Sequence, residues 1–251
     1  MILLVDAEML VMRAVAAHQQ EYEFAPDVWT YECDVNAAFE YYEVLVNRLE
    51  REARVYSRRV KTIRAFGCPH TANFRRIIYP EYKKHRKRKP VGFKALMNKA
   101  LSHLDKSHLK YAEGDDVIAF YAEFWRGHSD LVIASGDKDL DQISGRHMFF
   151  DKKTDDIITY VVTEEEAIDN LHIQALMGDS ADNIPGLEGI GKVKARKMVE
   201  ENKKREQPLP WREHVAEQYG DVKAAKLVIR LVELGNVPQD PYEWLRQHER
   251  R

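Results

Sequence analysis

GDSADNIPGLEGIGKVKARK, residues 178–197, admits two readings that lead to different folds. From Gly186 the spacing Gly-x4-Gly-Lys approaches a phosphate-cradling loop of the kind found in nucleotide hydrolases. The same glycines also suit a hairpin between two short helices that grips a nucleic-acid backbone. A phosphate loop follows a buried strand and ends in Ser or Thr, whose hydroxyl binds Mg²⁺. Here the glycines follow Asp182-Asn183-Ile184-Pro185, and Lys192 is followed by Val193. The hairpin reading is therefore preferred. Pro185 and Gly186 begin the turn, and Gly189 and Gly191 let the backbone approach phosphates closely. The next helix then presents its N–H groups, while Lys192, Lys194, Arg196 and Lys197 add charge.

Working outward, ILLV at 2–5 reads as a short buried strand ending at Asp6, KTIRAF at 61–66 as a second, and LVIAS at 131–135 as a third. HMFF and IITYVV, on either side of DKKTDD, read as a further strand or hairpin, antiparallel at a sheet edge. Helical patterns run over about 36–54, 92–104 and 115–126. Thr163 and Glu166 form a capping box that opens another helix reaching about Met177. A charged helix continues to about Lys204, and a last one covers about 221–233. Strands alternating with helices predict an α/β fold: a mostly parallel central sheet with helices on both faces. Ligands of such a sheet bind at the carboxyl ends of its strands.

At 251 residues with 44% apolar content, the chain can bury one good-sized core, or a core and a small subdomain. No apolar run approaches the roughly 18–20 residues of a membrane span, and an acid interrupts the first apolar stretch. Cys33 and Cys68 lack metal-type spacing. The expectation is a soluble cytoplasmic protein without a signal peptide. The net charge of −2 conceals segregation: basic residues crowd 48–110, in RRVKTIR, NFRR and YKKHRKRK, whereas carboxylates gather between Glu113 and Asp182. Such a chain can hold a polyanion with one band and metal ions with the other.

The carboxylates fall at element ends: Asp6, then Glu113, Asp115 and Asp116, then Asp137 and Asp139, and finally Asp179 and Asp182. Singly, each has a structural explanation, since acids complement helix N-termini and populate turns. Together, a parallel sheet carries Asp6, Asp137 and Asp139 to one edge. Crowded carboxylates raise each other's pKa unless a cation offsets their charge. Oxygen ligands without His or Cys favour Mg²⁺ or Mn²⁺. The chemistry expected is phosphodiester hydrolysis by two metals roughly 4 Å apart.

Asp6, EGDD (113–116), SGDKDL (135–140), GDSADNIPGLEGIGKVKA (178–195) and YPEYKKHRK (79–87) resemble, in order, the motifs of the flap endonuclease and 5′→3′ exonuclease superfamily, most closely its short stand-alone bacteriophage members. The resemblance spans roughly residues 1–200. It implies a PIN-like nuclease core over 1–162 with a basic helical arch at about 75–110, and a helix-three-turn-helix DNA-binding region over 163–206. A helical tail over 207–251 would pack on the core. It further implies a Mg²⁺-dependent structure-specific 5′-nuclease acting on DNA with a 5′ end or flap, and on RNA:DNA hybrids such as primers.

By that resemblance the metal ligands are Asp6, Glu113, Asp115, Asp116, Asp137, Asp139, Asp179 and Asp182. Lys83 and Arg86 meet the scissile phosphate and, with Asp137, are the catalytic residues. Lys84, Lys87, Gly186, Gly189, Gly191, Lys192, Lys194 and Arg196 bind DNA, and Gly189 and Gly191 hold a K⁺ ion. Tyr79 and Tyr82 either stack on an unpaired base or pack. A monomer that meets a polymerase or single-strand binding protein, and no membrane, is expected.

One departure stands out. The superfamily carries an aspartate just after the second core strand, where this chain reads AFGCPHTANFRR with Gly67 and Cys68. Cysteine is a poor Mg²⁺ ligand, and Glu8, near Asp6, is a candidate replacement. The residues also admit two other readings: a non-catalytic binder of branched DNA, and a PIN-like RNase.

Overall fold

The computed structural model describes residues 1–86, 88–102 and 109–249. Its sheet has five strands: β1 (Ile2–Asp6), β4 (Lys61–Ala65), β5 (Leu131–Ala134), β6 (Gly145–Phe150) and β7 (Ile157–Val162), in spatial order β4-β1-β5-β6-β7. The first four are parallel and β7 closes the edge antiparallel to β6. Strand β1 is buried throughout, which is why its sequence is an unbroken apolar run rather than an alternation.

The two faces of β1 serve two cores. Leu3 and Val5 pack with α1 (Ala7–His18), α2 (Val35–Ala53) and α4 (Phe93–Ser102), through Val11, Leu45 and Leu96 among others. Ile2 and Leu4 face α5 (Gly114–Trp125), meeting Val117 and Ile118. The expected α/β sheet with helices on both faces is the fold observed.

Beside the sheet lies a third apolar cluster. It joins α3 (Phe74–Ile78), α6 (Glu164–Met177) and α7 (Lys192–Lys203) to α8 (Trp211–Tyr219) and α9 (Val222–Val232), through Phe74, Leu176, Val199, Val215 and Val228. α10 (Pro241–Glu249) returns to α3. Helix α6 begins where the capping box places it, with Thr163 Oγ1 accepting from Glu166 N at 3.1 Å and Glu166 Oε2 accepting from Thr163 N at 2.8 Å. No helix among the described residues is long and apolar enough to cross a membrane.

Sequence patterning did not anticipate α1, or the two-stranded hairpin β2 (Gln19–Ala25) and β3 (Val28–Cys33). The hairpin projects from the core with Phe24 84% and Trp29 52% exposed, so no burial imposes an alternation on it. The basic arch expected at about 75–110 lies partly outside the described residues, and Lys87 lies wholly outside them.

Candidate active site

Parallel register sets Asp6 beside Ala65 and Val5 beside Ala134, so β4, β1 and β5 end side by side. Asp6 caps α1, accepting from Met9 N at 3.0 Å, and its other oxygen accepts from Ser135 Oγ at 2.8 Å. Ser135 Oγ in turn accepts from Asp137 N at 3.0 Å. This chain of bonds holds Asp6 and Asp137 at a set spacing across two strands. Asp137 then caps the short 3₁₀ turn Lys138–Gln142, accepting from Asp139 N at 3.0 Å.

The remaining acids arrive from helix termini. Glu113 is the N-cap of α5, in a capping box with Asp116, and Asp115 sits in its first turn. Asp179 follows the end of α6, where reciprocal hydrogen bonds between the Asp179 and Ile184 backbones, 3.0 and 2.7 Å, close a tight turn. Oxygens of Asp139, Asp179 and Asp182 lie within 4.8 Å of one another.

Burial and mutual repulsion mark this edge. Burial pushes Asp6 up to about 6, with Glu8 and Asp137 adding to the effect. Asp115 is raised well above the usual range by burial and then by Asp6, Asp137 and Glu113. Asp139 is pushed up to about 6 by burial, then by Asp137, Asp179 and Asp182. Two groups emerge, one of Asp6, Asp115 and Asp137, the other of Asp139, Asp179 and Asp182, each a set of crowded oxygen donors suited to a hard cation.

Cationic side chains reach into these acids from residues 82–86. Lys83 Nζ lies 2.6 Å from Glu113 Oε1 and 3.4 Å from Asp182 Oδ2, and Arg86 pairs with Asp182 Oδ1. Burial works against ionised Glu113, but Lys83 and Arg75 outweigh it and hold the carboxyl at about 2. Lys83 occupies the left-handed region at φ 53°, a conformation that costs a non-glycine residue and points to an imposed geometry. Its backbone N–H donates to Asp182 O at 2.8 Å, and Asn183 Nδ2 donates to Glu81 O at 2.9 Å, so this segment is stitched to the 179–184 turn. Lys84 points away and pairs with Glu81 at 2.7 Å. Lys89, not singled out in the sequence, lies 4.5 Å from the Phe93 ring and within range of the Glu8 and Asp6 charges.

Several expected roles change. Asp116 does not join the open carboxylates. Fully buried, it accepts from Arg75 Nη1 and Nη2 at 2.6 and 2.8 Å, from Glu113 N at 2.9 Å and from Gly235 N at 3.1 Å, which occupies both oxygens. Tyr82 is 2% exposed and donates to Glu113 Oε2 at 2.6 Å, so its ring is unavailable to a base, while Tyr79 packs against the cluster of α3 and α6–α9. Gly186 is glycine for an internal reason: a Cβ there would lie 2.0 Å from Met177 O, where the chain crosses itself. Cys68 is no thiolate, because burial, Glu113 and Asp116 push its thiol up to about 11. Glu8 Oε1 accepts from Gly67 N at 2.7 Å.

Gly189 and Gly191 differ from Gly186 in that a Cβ on either would meet nothing within 4 Å. Gly189 needs its glycine for φ 68°. Gly191 is the N-cap of α7 and makes no side-chain cap, leaving the first N–H groups open. Lys192, Lys194 and Arg196 are exposed around them, and Lys194 Nζ donates to Gly189 O at 2.9 Å. This surface can take up an anion chain. The carboxylate edge, with Lys83 and Arg86 over it, can hold cations and a phosphate together.

Comparison with known proteins finds a family and related structures. Residues 1–178 match the family model described as 5′-3′ exonuclease, N-terminal resolvase-like domain. Flap endonuclease Xni of Shewanella baltica is 31% identical over 140 residues, covering 52% of this chain and 53% of that protein. A 5′-3′ exonuclease of Bacillus subtilis is 32% identical over 146 residues, 51% of this chain and 48% of its own. The chain thus spans about half the length of these curated relatives. Among solved structures, T5 5′-exonuclease with bound zinc has a TM-score of 0.63 at 19% identity, over 98% of this chain and 97% of that one. The T5 D15 flap endonuclease in complex with DNA and metal ions has a TM-score of 0.58 at 16% identity, over 99% and 97%. These structural likenesses establish the fold.

Proposed function

Because the chain belongs to the 5′-3′ exonuclease family through its N-terminal resolvase-like domain, we propose that it is a Mg²⁺- or Mn²⁺-dependent structure-specific 5′-nuclease. Its substrate is DNA with a 5′ end or flap, and RNA primers in DNA hybrids. The observation that carries this reading is the meeting of two carboxylate groups with Lys83 and Arg86 at one sheet edge.

The donor set fits hard divalent ions, because carboxylate oxygens dominate it: the Cys68 thiol stays protonated, and Met9 Sδ already accepts from Gly136 N at 3.3 Å. Asp6, Glu113, Asp115 and Asp137 would hold one ion, and Asp139, Asp179 and Asp182 the other. Ions bound there supply Lewis acidity for phosphodiester hydrolysis. The chain's own residues do the positioning. Lys83 and Arg86 transfer from carboxylates to the scissile phosphate and offset its charge as the transition state forms. Tyr82 orients Glu113. Open backbone at Gly189 and Gly191, with Lys192, Lys194 and Arg196, holds the duplex through phosphates and therefore without sequence preference. A K⁺ ion at this turn would share the Gly189 carbonyl, which already accepts from the Lys194 ammonium. Asp116 serves as the ion-pair partner of Arg75 rather than as a ligand.

The deciding experiment is cleavage of a 5′-labelled flap duplex with and without Mg²⁺, comparing the native chain with Asp137→Asn. Metal-dependent cutting by the native chain, lost in the variant while binding persists, is the expected result. Equal cutting by the variant overturns the metal assignment. Tight binding without cutting, in Mg²⁺ and again in Mn²⁺, favours a branched-DNA binder.

A further inference from the structure

Of the three strands that end beside one another, β1 delivers Asp6 and β5 leads to Asp137, but β4 runs into Phe66, Gly67 and Cys68 with no acid of its own. That side of the edge is nevertheless supplied with a carboxylate. Glu8, in the first turn of α1, folds back across it. A Cβ added to Gly67 would lie 2.8 Å from Glu8 Oε1, with Gly114 N at 2.9 Å and the Glu113 Cα at 3.1 Å. Glycine therefore suits a place where the Gly114 backbone approaches closely and the Glu8 carboxylate sits against it.

The Glu8 carboxylate is also held in one orientation. Oε1 accepts from Gly67 N at 2.7 Å, whereas Oε2 accepts no hydrogen bond among the described residues. A carboxylate anchored through one oxygen, with no hydrogen bond to the other among the described residues, is pre-organised to ligate.

We propose that Glu8 is a ligand of the divalent ion held by Asp6 and Asp115, closing the site on the β4 side through a residue of α1. This deepens the nuclease reading and rests on it. Gly67 and Glu8 then form one unit, since a side chain at 67 would crowd both the Gly114 backbone and the Glu8 carboxylate.

The test is Mn²⁺ titration of the metal-free full chain at pH 7.5, with free Mn²⁺ read by its electron paramagnetic resonance signal, for the native chain and Glu8→Gln. Glutamine keeps an oxygen for Gly67 N–H and removes only the charge, so a merely structural Glu8 tolerates it. The expected result is at least about tenfold weaker binding of one Mn²⁺ ion, with the metal-free melting temperature not lowered. Unchanged Mn²⁺ affinity in Glu8→Gln overturns the proposal while leaving the nuclease reading intact. Weaker binding accompanied by a lower metal-free melting temperature assigns Glu8 to propping the Gly67 loop, and also overturns it. A native chain that takes up no Mn²⁺ removes the metal-dependent reading itself, and this proposal with it.

Discussion

Arg75 and Asp116 meet through two hydrogen bonds, 2.6 Å from Nη1 to Oδ2 and 2.8 Å from Nη2 to Oδ1, with side chains 2% and 0% exposed. The pair joins distant parts of the chain. Arg75 Nε donates to Leu231 O at 2.7 Å, and Asp116 Oδ1 accepts from Gly235 N at 3.1 Å, so the end of α9 is bolted to the start of α5. Removing one partner strands a buried charge, which typically costs about 3–5 kcal/mol. Arg75→Met should lose stability on that scale in urea unfolding, and Arg75→Met with Asp116→Leu should lose less than Arg75→Met alone.

Lys83 and Lys84 are sequence neighbours with different surroundings. Lys83 is turned into the acids and Lys84 pairs with Glu81 at the surface. Lys83→Met should lower single-turnover cleavage by about 10²–10³-fold, the scale seen when a donor to developing charge is removed. Lys84→Met should leave it within a few-fold. Equal losses would mean that the basic run acts only as a general field.

Asp139 predicts a pH-dependent effect on the metal-free protein. Its folded-state pKa, raised to about 6, exceeds the usual 3.8. Ionising it therefore disfavours the fold: the penalty is absent below about 3.8, grows through that interval and is complete above about 6. Asp139→Asn escapes the penalty. In thermal melts without metal it should be more stable than the native chain at pH 7.5 and level with it near pH 4. Added Mg²⁺ should stabilise the native chain more than the variant, because the ion offsets the repulsion that the variant lacks.

Lys192 opens α7 beside the unobstructed backbone of Gly189 and Gly191. If it neutralises a phosphate, Lys192→Ala should reduce the slope of log affinity against log salt by about 1, equally for unrelated duplex sequences. A slope unchanged in the variant would place the duplex elsewhere.

Local chemistry explains what the sequence disclosed. β1 and β5 are buried on both faces and so appear as apolar runs, and their parallel register carries the acids that follow them to one edge. The α6 capping box is complete within four residues. Asp116 misled because its spacing from Glu113 suits both a capping box and a shared ligand face. Arg75, which takes its oxygens, is 41 residues away in the chain. The β2–β3 hairpin turns at Ala25-Pro26-Asp27-Val28, with Asp27 at φ 61°, lacking the Asn-Gly or Asp-Gly signal of a tight hairpin. Glu8 could be noticed beside Asp6, but its contact with Gly67 spans 59 residues and became evident only in three dimensions.

The two hydrogen bonds that stitch residues 81–83 to 182–183 have a mechanical consequence. On the proposed reading, one segment carries the lysine that meets the broken bond, and the other leads into the turn that grips the duplex. Joined by one backbone bond and one from the Asn183 side chain, they cannot easily slide past each other, and on that reading the pair would act as a built-in ruler. The cut would then fall a constant number of nucleotides from the junction, whatever the length of the overhanging strand.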